Sequence, residues 1–182
     1  LYRPAELAVA RGLAVARRLR VPAFSSGGAG QVAARNLAVA RVETEWIAWL
    51  DDDDWWSDAH HLARAAAALE GGAEYWFAGG IFVEEGRAPV AFAPRVDAQT
   101  LEHDNGILVS ALCYRRALHD KLGRFDETLP VYWDWDWSLR VARSGARLAQ
   151  DMRLSAAITR HGGNVTGAGQ EDFRRRDLDR FA

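Results

Sequence analysis

Five apolar residues, Trp46, Ile47, Ala48, Trp49 and Leu50, run directly into four consecutive aspartates at 51–54. The run is short, apolar throughout and bounded by polar residues, which predicts a central strand covered on both faces. A strand of this kind belongs to a layered α/β domain and carries its acids to its own C-terminal end, where such sheets gather their ligands. Four carboxylates in one place repel each other and resist burial. They fit better as oxygen ligands of Mg²⁺ or Mn²⁺, an ion that can in turn hold a diphosphate. The plainer alternative is that the acids serve the next helix. Ser57 and Asp58 precede an apolar pattern of Leu62, Ala65, Ala66 and Leu69, and acids favour helix N-termini. The two roles are compatible, with Asp58 capping while Asp51 and Asp53 coordinate.

A chain of 182 residues has room for one substantial core and one domain. Its 23 Lys and Arg against 25 Asp and Glu leave no polycationic footprint, so no nucleic-acid partner is expected. Cys113 is the single cysteine. It permits no internal disulfide and no cysteine zinc cluster, in keeping with a reducing compartment such as the cytoplasm, free or against the inner face of a membrane. No apolar stretch reaches the length of a membrane span, and the start lacks the order of a secretory signal. The eight tryptophans, at 46, 49, 55, 56, 76, 133, 135 and 137, crowd around two acidic segments. Trp46, Trp49 and Trp76 read as core, whereas Trp133, Trp135 and Trp137 suit either packing or the stacking of a sugar or base.

Periodicity and turn residues give an alternating order. Helices are expected over 5–20, 31–40, 58–70, 115–122 and 134–144. Strands are expected over 21–25, 46–50, 74–83, 107–114 and 147–159, with a hairpin or loop over 84–100. Gly27, Gly28 and Gly30 form a turn ahead of the second helix. The turn lacks both the dinucleotide fingerprint and the Lys-Ser/Thr of a phosphate loop, and gains weight only from Arg35, sixteen residues before Asp51. Arg35 can hold a base, ribose or phosphate near the metal, or pair with a local carboxylate. The triplet Arg174, Arg175 and Arg176 reads as a solvated surface.

The second acidic segment alternates tryptophan and aspartate from Trp133 to Trp137. In a helix starting near 134, Asp136 and Arg140 are four apart and can pair, which leaves Asp134 at the helix start to face a ligand. There the helix dipole would hold its pKa down. An ionised Asp134 can take the proton of an attacking hydroxyl, or can simply cap the helix. His161, followed by two glycines, is the most ligand-like histidine, able to complete a Mn²⁺ shell or touch a diphosphate. His60, His61, His103 and His119 read as structural or solvent-facing.

Taken in order, the residues 30–36 (GQVAARN), 46–54 (WIAWLDDDD), 123–127 (GRFDE) and 133–136 (WDWD) carry a resemblance. The chain resembles the nucleotide-sugar glycosyltransferases of family 2, which have the GT-A fold, from about residue 20 to 165. The resemblance implies a three-layer α/β GT-A-like domain with a mostly parallel central mixed sheet flanked by helices. It implies transfer from a nucleoside-diphosphate sugar to an acceptor hydroxyl, by single displacement with inversion and with Mn²⁺ or Mg²⁺. By the same resemblance Asp51 and Asp53 are the outer positions of a DxD motif, Asp54 the extra acid after it, and Arg35 the nucleotide-side arginine. By it too Asp134 is the general base and His161 the late histidine near diphosphate and metal, while Gly28 and Gly30, in the turn just ahead of Arg35, are expected beside the donor. Trp133 and Trp135 flank the acceptor. Trp133 stands where members usually have Glu, which implies a more aromatic acceptor pocket.

The whole chain, 1–182, then reads as one domain. Residues 1–100 form its donor and metal part, and 101–182 its acceptor and catalytic-base part. The strands with which such domains commonly begin are not found ahead of Leu1, so an N-terminally incomplete domain is expected. The donor reads as a UDP-sugar in preference to other nucleotides, and the acceptor as a glycan, lipid or small molecule. A sugar-phosphate nucleotidyltransferase, a metal-dependent phosphohydrolase and a noncatalytic carbohydrate-binding module are the alternatives. None of them uses both acidic segments as economically.

Overall fold

A computed structural model describes residues 24–161. The helix expected over 5–20, most of the strand over 21–25, and the arginines at 174–176 lie outside those residues. Phe24 and Ser25 are not part of a strand. In chain order the elements are α1 (Gln31–Val39), β1 (Trp46–Ala48), β2 (Trp55–Trp56), α2 (His61–Glu70), β3 (Tyr75–Glu84), β4 (Val90–Phe92), β5 (Leu112–Arg115), α3 (Ala117–Leu122), α4 (Trp133–Arg143) and β6 (Leu148–Arg160). Single 3₁₀ turns occupy Thr100–Glu102 and Val109–Ala111. No helix among the described residues is long and apolar enough to cross a membrane.

One six-stranded sheet runs in the order β1-β5-β3-β6-β2, with β4 paired to part of β3. It is mixed, as expected, but among the described residues only β3 and β6 pair in parallel. The other four pairings are antiparallel, which corrects the expectation of a mostly parallel sheet. β5 inserts between β1 and β3 running against both, so these two strands, which share a direction, never meet. The segment expected to be a hairpin or loop is a hairpin, with Ile81 opposite Ala91.

Alternation along the central strand builds the three layers. Tyr75 and Phe77 of β3 join Leu112 and Tyr114 of β5 on one face, while Trp76, Ala78 and Cys113 occupy the other, the period-two consequence of a pleated backbone. The first face is covered by Val32 of α1, Leu118 of α3 and Trp133, Trp137 and Val141 of α4. The second face is covered by Ala65 and Leu69 of α2. α4 carries Asp134 and Asp136 in its first turn and Arg140 and Arg143 in its last, signs that suit the helix dipole. The expected pair forms, Arg140 Nε donating to Asp136 Oδ2 at 2.8 Å.

Two departures from regular pairing set the position of the site. β1 ends at Ala48 instead of Leu50: Trp49 N–H still donates to Leu112 O of β5 at 3.1 Å, but beyond it the chain turns from the ladder and Asp51 N–H donates to the side chain of Ser110 at 3.1 Å. In β6, Ala78 faces Asp151, Gly79 faces Leu154 and Gly80 faces Ala156, so the ladder shifts register twice. The bulges bend β6 and bring it close over two glycines. A Cβ on Gly79 would meet Arg153 O at 3.1 Å, and one on Gly80 would meet Ala156 O at 2.8 Å.

The bent strand also turns Ser155 toward α2, where its hydroxyl bonds His61 Nδ1 at 2.8 Å. His61 is fully buried and stacked on Trp56 with ring centroids 5.1 Å apart. Burial, then the nearby Arg64 charge, pulls its pKa from 6.5 down to about 4, with Asp58 and Asp151 opposing. Because the folded value is depressed, the unfolded chain binds the extra proton between these two values, and stability present above 6.5 is lost as pH falls toward 4. Urea midpoints should therefore drop between pH 7 and pH 4.5. His61→Leu should lower stability at pH 7 by about 1–3 kcal/mol through the lost contacts, yet flatten the dependence on pH. An equally steep decline in the variant would place the acid sensitivity elsewhere.

Candidate functional site

A cavity of about 570 Å³ opens where the C-terminal end of β1, the start of α4 and the end of β6 converge, within the size range of small-ligand sites. Its walls include Arg35, all four aspartates at 51–54, Trp49, Trp133, Asp134 and His161. The two acidic segments, some eighty residues apart in the sequence, thus face one space.

Each aspartate has its own circumstances. Asp51 Oδ1 accepts a short charged bond from Arg35 Nη2. Burial raises the Asp51 pKa, the Arg35 charge opposes it, and Asp53 adds to the rise. Asp52 faces solvent. Asp53 is exposed, with Oδ2 3.0 Å from His161 Nε2. Asp54 is structural: Oδ2 accepts from Ser110 Oγ and Oδ1 from Thr159 N–H at 2.9 Å. Burial raises its pKa against those two bonds. Thr159 Oγ1 also donates to Asp53 O, so the end of β6 is stitched to the acidic loop twice before His161 meets Asp53.

Arg35 sits over the Trp133 ring, its guanidinium carbon 4.6 Å from the centroid. Nη1 donates to Gln31 Oε1 at 3.1 Å, and Gln31 Nε2 donates to Pro130 O at 2.7 Å. A flat cation stacked on indole is weakly hydrated and directional, so Arg35 presents an oriented positive face to the cavity beside Asp51. The next residue, Asn36, is buried and clamps the chain ahead of α4. Its Nδ2 donates to Phe125 O at 3.0 Å and to Glu127 Oε1 at 2.8 Å, while its Oδ1 accepts from Phe125 N–H at 3.0 Å.

Asp134 lies at the start of α4, half-buried. Its pKa is raised, not held down as its place at a helix start suggested. Burial is the largest cause, and it outweighs the bonds from Asn105 and the backbone N–H groups of the first turn and the charge of Arg35. The same backbone bonds mean that capping and facing the cavity are combined in one carboxylate. A carboxylate with a raised pKa is a stronger base than a solvated one.

Three residues expected at the site do not line the cavity. Gly28 and Gly30 instead supply positive φ, 85° and 93°, in the turn that starts α1, a conformation glycine adopts without strain. Trp135 is buried in the core, donating Nε1–H to Leu101 O at 2.7 Å. Two positions along a helix turn a side chain by more than half a revolution, so Trp135 cannot share the outlook of Trp133. Sequence reasoning missed Ser110, Asn105 and Thr159, single polar residues outside any spacing pattern, and it quoted Asn36 within 30–36 without assigning it a role. Among the described residues no group of three or more His, Cys, Asp or Glu could hold a metal ion. The Asp53 and His161 pair offers a carboxylate oxygen and an imidazole nitrogen at one point. That donor set fits Mg²⁺ or Mn²⁺ when phosphate oxygens and water complete the shell.

Comparison with known proteins bears on this arrangement. The chain is 35% identical over 122 residues to the uncharacterized glycosyltransferase YwdF of Bacillus subtilis (strain 168), a match over 63% of this chain and 45% of that protein. Among solved structures, S. aureus TarS 1–349 in complex with UDP-GlcNAc matches with a TM-score of 0.65 at 20% identity, over 85% of this chain and 47% of that one. A second crystal structure of S. aureus TarS 1–349 gives 0.62 at 20% identity, over 82% of this chain and 48% of that one. This chain therefore spans about half the length of the relatives it matches, and shares with the TarS structures an α/β fold of GT-A type. The family model for glycosyl transferase family 2 matches residues 9–102, just over half of the sequence, and the chain belongs to that family.

Proposed function

We propose that the cavity binds a nucleoside-diphosphate sugar, with a UDP-sugar favoured, and that the protein transfers the sugar to an acceptor hydroxyl with inversion. The observation that carries this reading is the meeting of Arg35, Asp51, Asp53, His161 and Asp134 around one cavity. Family membership supports the reaction class, and the crystallisation of a structural neighbour with UDP-GlcNAc supports the choice of donor.

In this reading Arg35, stacked on Trp133 and paired with Asp51, orients the nucleotide, and Asp51 keeps its charge balanced until the donor enters. Asp53 and His161 would hold Mn²⁺ or Mg²⁺, which when bound would offset the charge that grows on the departing diphosphate. Asp134 accepts the proton of the acceptor hydroxyl as its oxygen bonds to the anomeric carbon. The bond from that carbon to the diphosphate oxygen breaks, and the nucleoside diphosphate leaves with the electron pair. A single base on the acceptor side is what direct displacement with inversion requires. The acceptor is a hydroxyl of a glycan, lipid or small molecule, and Trp133, buried beneath the Arg35 guanidinium, serves the site by seating that arginine.

Asp134→Asn should lower transfer by ~10²-fold or more and leave calorimetric binding of UDP with Mn²⁺ unchanged. It should also raise the melting temperature at neutral pH. A carboxyl whose folded pKa lies above its unfolded one is less stable folded once ionised, and the neutral amide removes that cost. Parental transfer by the variant would remove Asp134 from the base role. Asp53→Ala should weaken UDP binding in Mn²⁺ with little effect in its absence. Titrations in Mn²⁺ identical to those of the parent would take Asp53 out of any metal shell.

A further inference from the structure

Asp134 is gripped from outside its helix by a segment that the same helix anchors. Asp97 and Thr100 close a turn with reciprocal bonds, Thr100 N–H to Asp97 Oδ1 and Asp97 N–H to Thr100 Oγ1, each 2.8 Å. Leu101, fully buried, gives its carbonyl to Trp135 Nε1, and Glu102 pairs with Arg143 at the far end of α4. Gly106 packs closely, since a Cβ there would come within 2.6 Å of Val96 Cγ2. Between these fixed points Asn105 Nδ2 donates to Asp134 Oδ2 at 3.0 Å.

The other end of that amide is informative. Asn105 Oδ1 is buried without a hydrogen-bond partner, although buried polar atoms are nearly always bonded. Turning the amide over would set its oxygen against the carboxylate, acceptor against acceptor. The side chain is therefore placed to serve Asp134 at the expense of its own oxygen.

We propose that Asn105 is a positioning residue for the base, holding one oxygen of Asp134 so that the carboxylate stays ionised and correctly turned at the cavity wall. The inference rests on the reading of Asp134 as the acceptor-side base. It also redefines Trp135, which acts on the site at one remove by anchoring the segment that carries Asn105. The other groups facing Asp134 are Arg35 from α1 and Tyr75 from β3. The Tyr75 hydroxyl is bonded to Ser138 Oγ at 2.8 Å, and Ser138 in turn donates to the backbone carbonyl of Asp134 at 2.8 Å. Asp136 and Arg140 on the same helix are paired with each other.

The test compares Asn105→Ala with Asn105→Asp in the full chain. The first deletes the bond, and the second keeps the shape but sets a second carboxylate against Asp134. The Asp134 side-chain carboxyl is followed by ¹³C NMR titration, its signal identified by its loss in Asp134→Asn. UDP release from UDP-GlcNAc with Mn²⁺ is followed against pH. In Asn105→Ala the Asp134 titration and the acid limb of turnover should both move to higher pH. Turnover at neutral pH should fall ~10- to 100-fold, the worth of one hydrogen bond to a charged group, with KM for UDP-GlcNAc unchanged. Asn105→Asp should move both further than Asn105→Ala, whereas a purely structural role would make the isosteric variant the milder one. Trp135→Phe should shift the titration the same way by less. An Asp134 titration unmoved in folded Asn105→Ala and Asn105→Asp overturns the proposal. A titration that moves while Asp134→Asn releases UDP at the parental rate overturns the base reading, and leaves the contact standing.

Discussion

The buried hydroxyl of Ser110 is the point on which the acidic loop hangs. It accepts Asp51 N–H and donates to Asp54, and the same residue's carbonyl accepts Trp56 Nε1–H at 2.9 Å. One small residue thus closes a loop of four acids across its base with its side chain and ties it to β2 with its backbone carbonyl. Without an anchor of this kind, mutual repulsion would drive the carboxylates apart into solvent. With it, Asp54 is used up as structure, Asp51 is matched to Arg35, and Asp53 is left at the tip facing His161. The negative charge is divided by task, although the sequence presents it as a uniform block.

The two halves of the chain are held together by comparably local means. Asn36 bonds both the N–H and the C=O of Phe125, as a neighbouring strand would. A helix near the start of the described residues therefore fixes the approach to α4. Arg35, one position earlier, projects into the cavity and bears on Asp51 and Asp134 at once. Adjacent positions on α1 serve the scaffold and the site respectively, so a rotation of that helix would disturb both.

Much of this was legible in the residues. The alternating helix and strand order, the buried β3 and β5, the Asp136 and Arg140 pair and the gathering of Asp51, Asp53, Asp134 and His161 followed from periodicity, spacing and resemblance. Sheet direction was not legible, because an apolar run looks the same whichever way its neighbours point. β2 escaped because two tryptophans are too few to show alternation. The expected roles of Gly28, Gly30 and Trp135 came from nearness in sequence, and backbone conformation and helical geometry turned them away from the cavity. Asn105 was invisible because a single amide in a loop carries no pattern, and its meaning appears only when a residue twenty-nine positions later comes to rest beside it.

The register shifts in β6 have a further consequence for how this site tolerates change in length. Between the pairs Ala78–Asp151 and Gly80–Ala156, β3 advances by two residues and β6 by five. Three residues of β6 are thus surplus to the ladder, and everything beyond them is displaced along the strand by that surplus. The bulges act as a spacer whose count of residues determines which side chain arrives opposite Asp53. Removing one surplus residue would leave the sheet able to pair again, yet would deliver the residue after His161 to that place. The same shift would turn the inward side chains of β6, Ser155 among them, to the other face, so a change of length here would disturb both the packing against α2 and the chemistry at the strand's end.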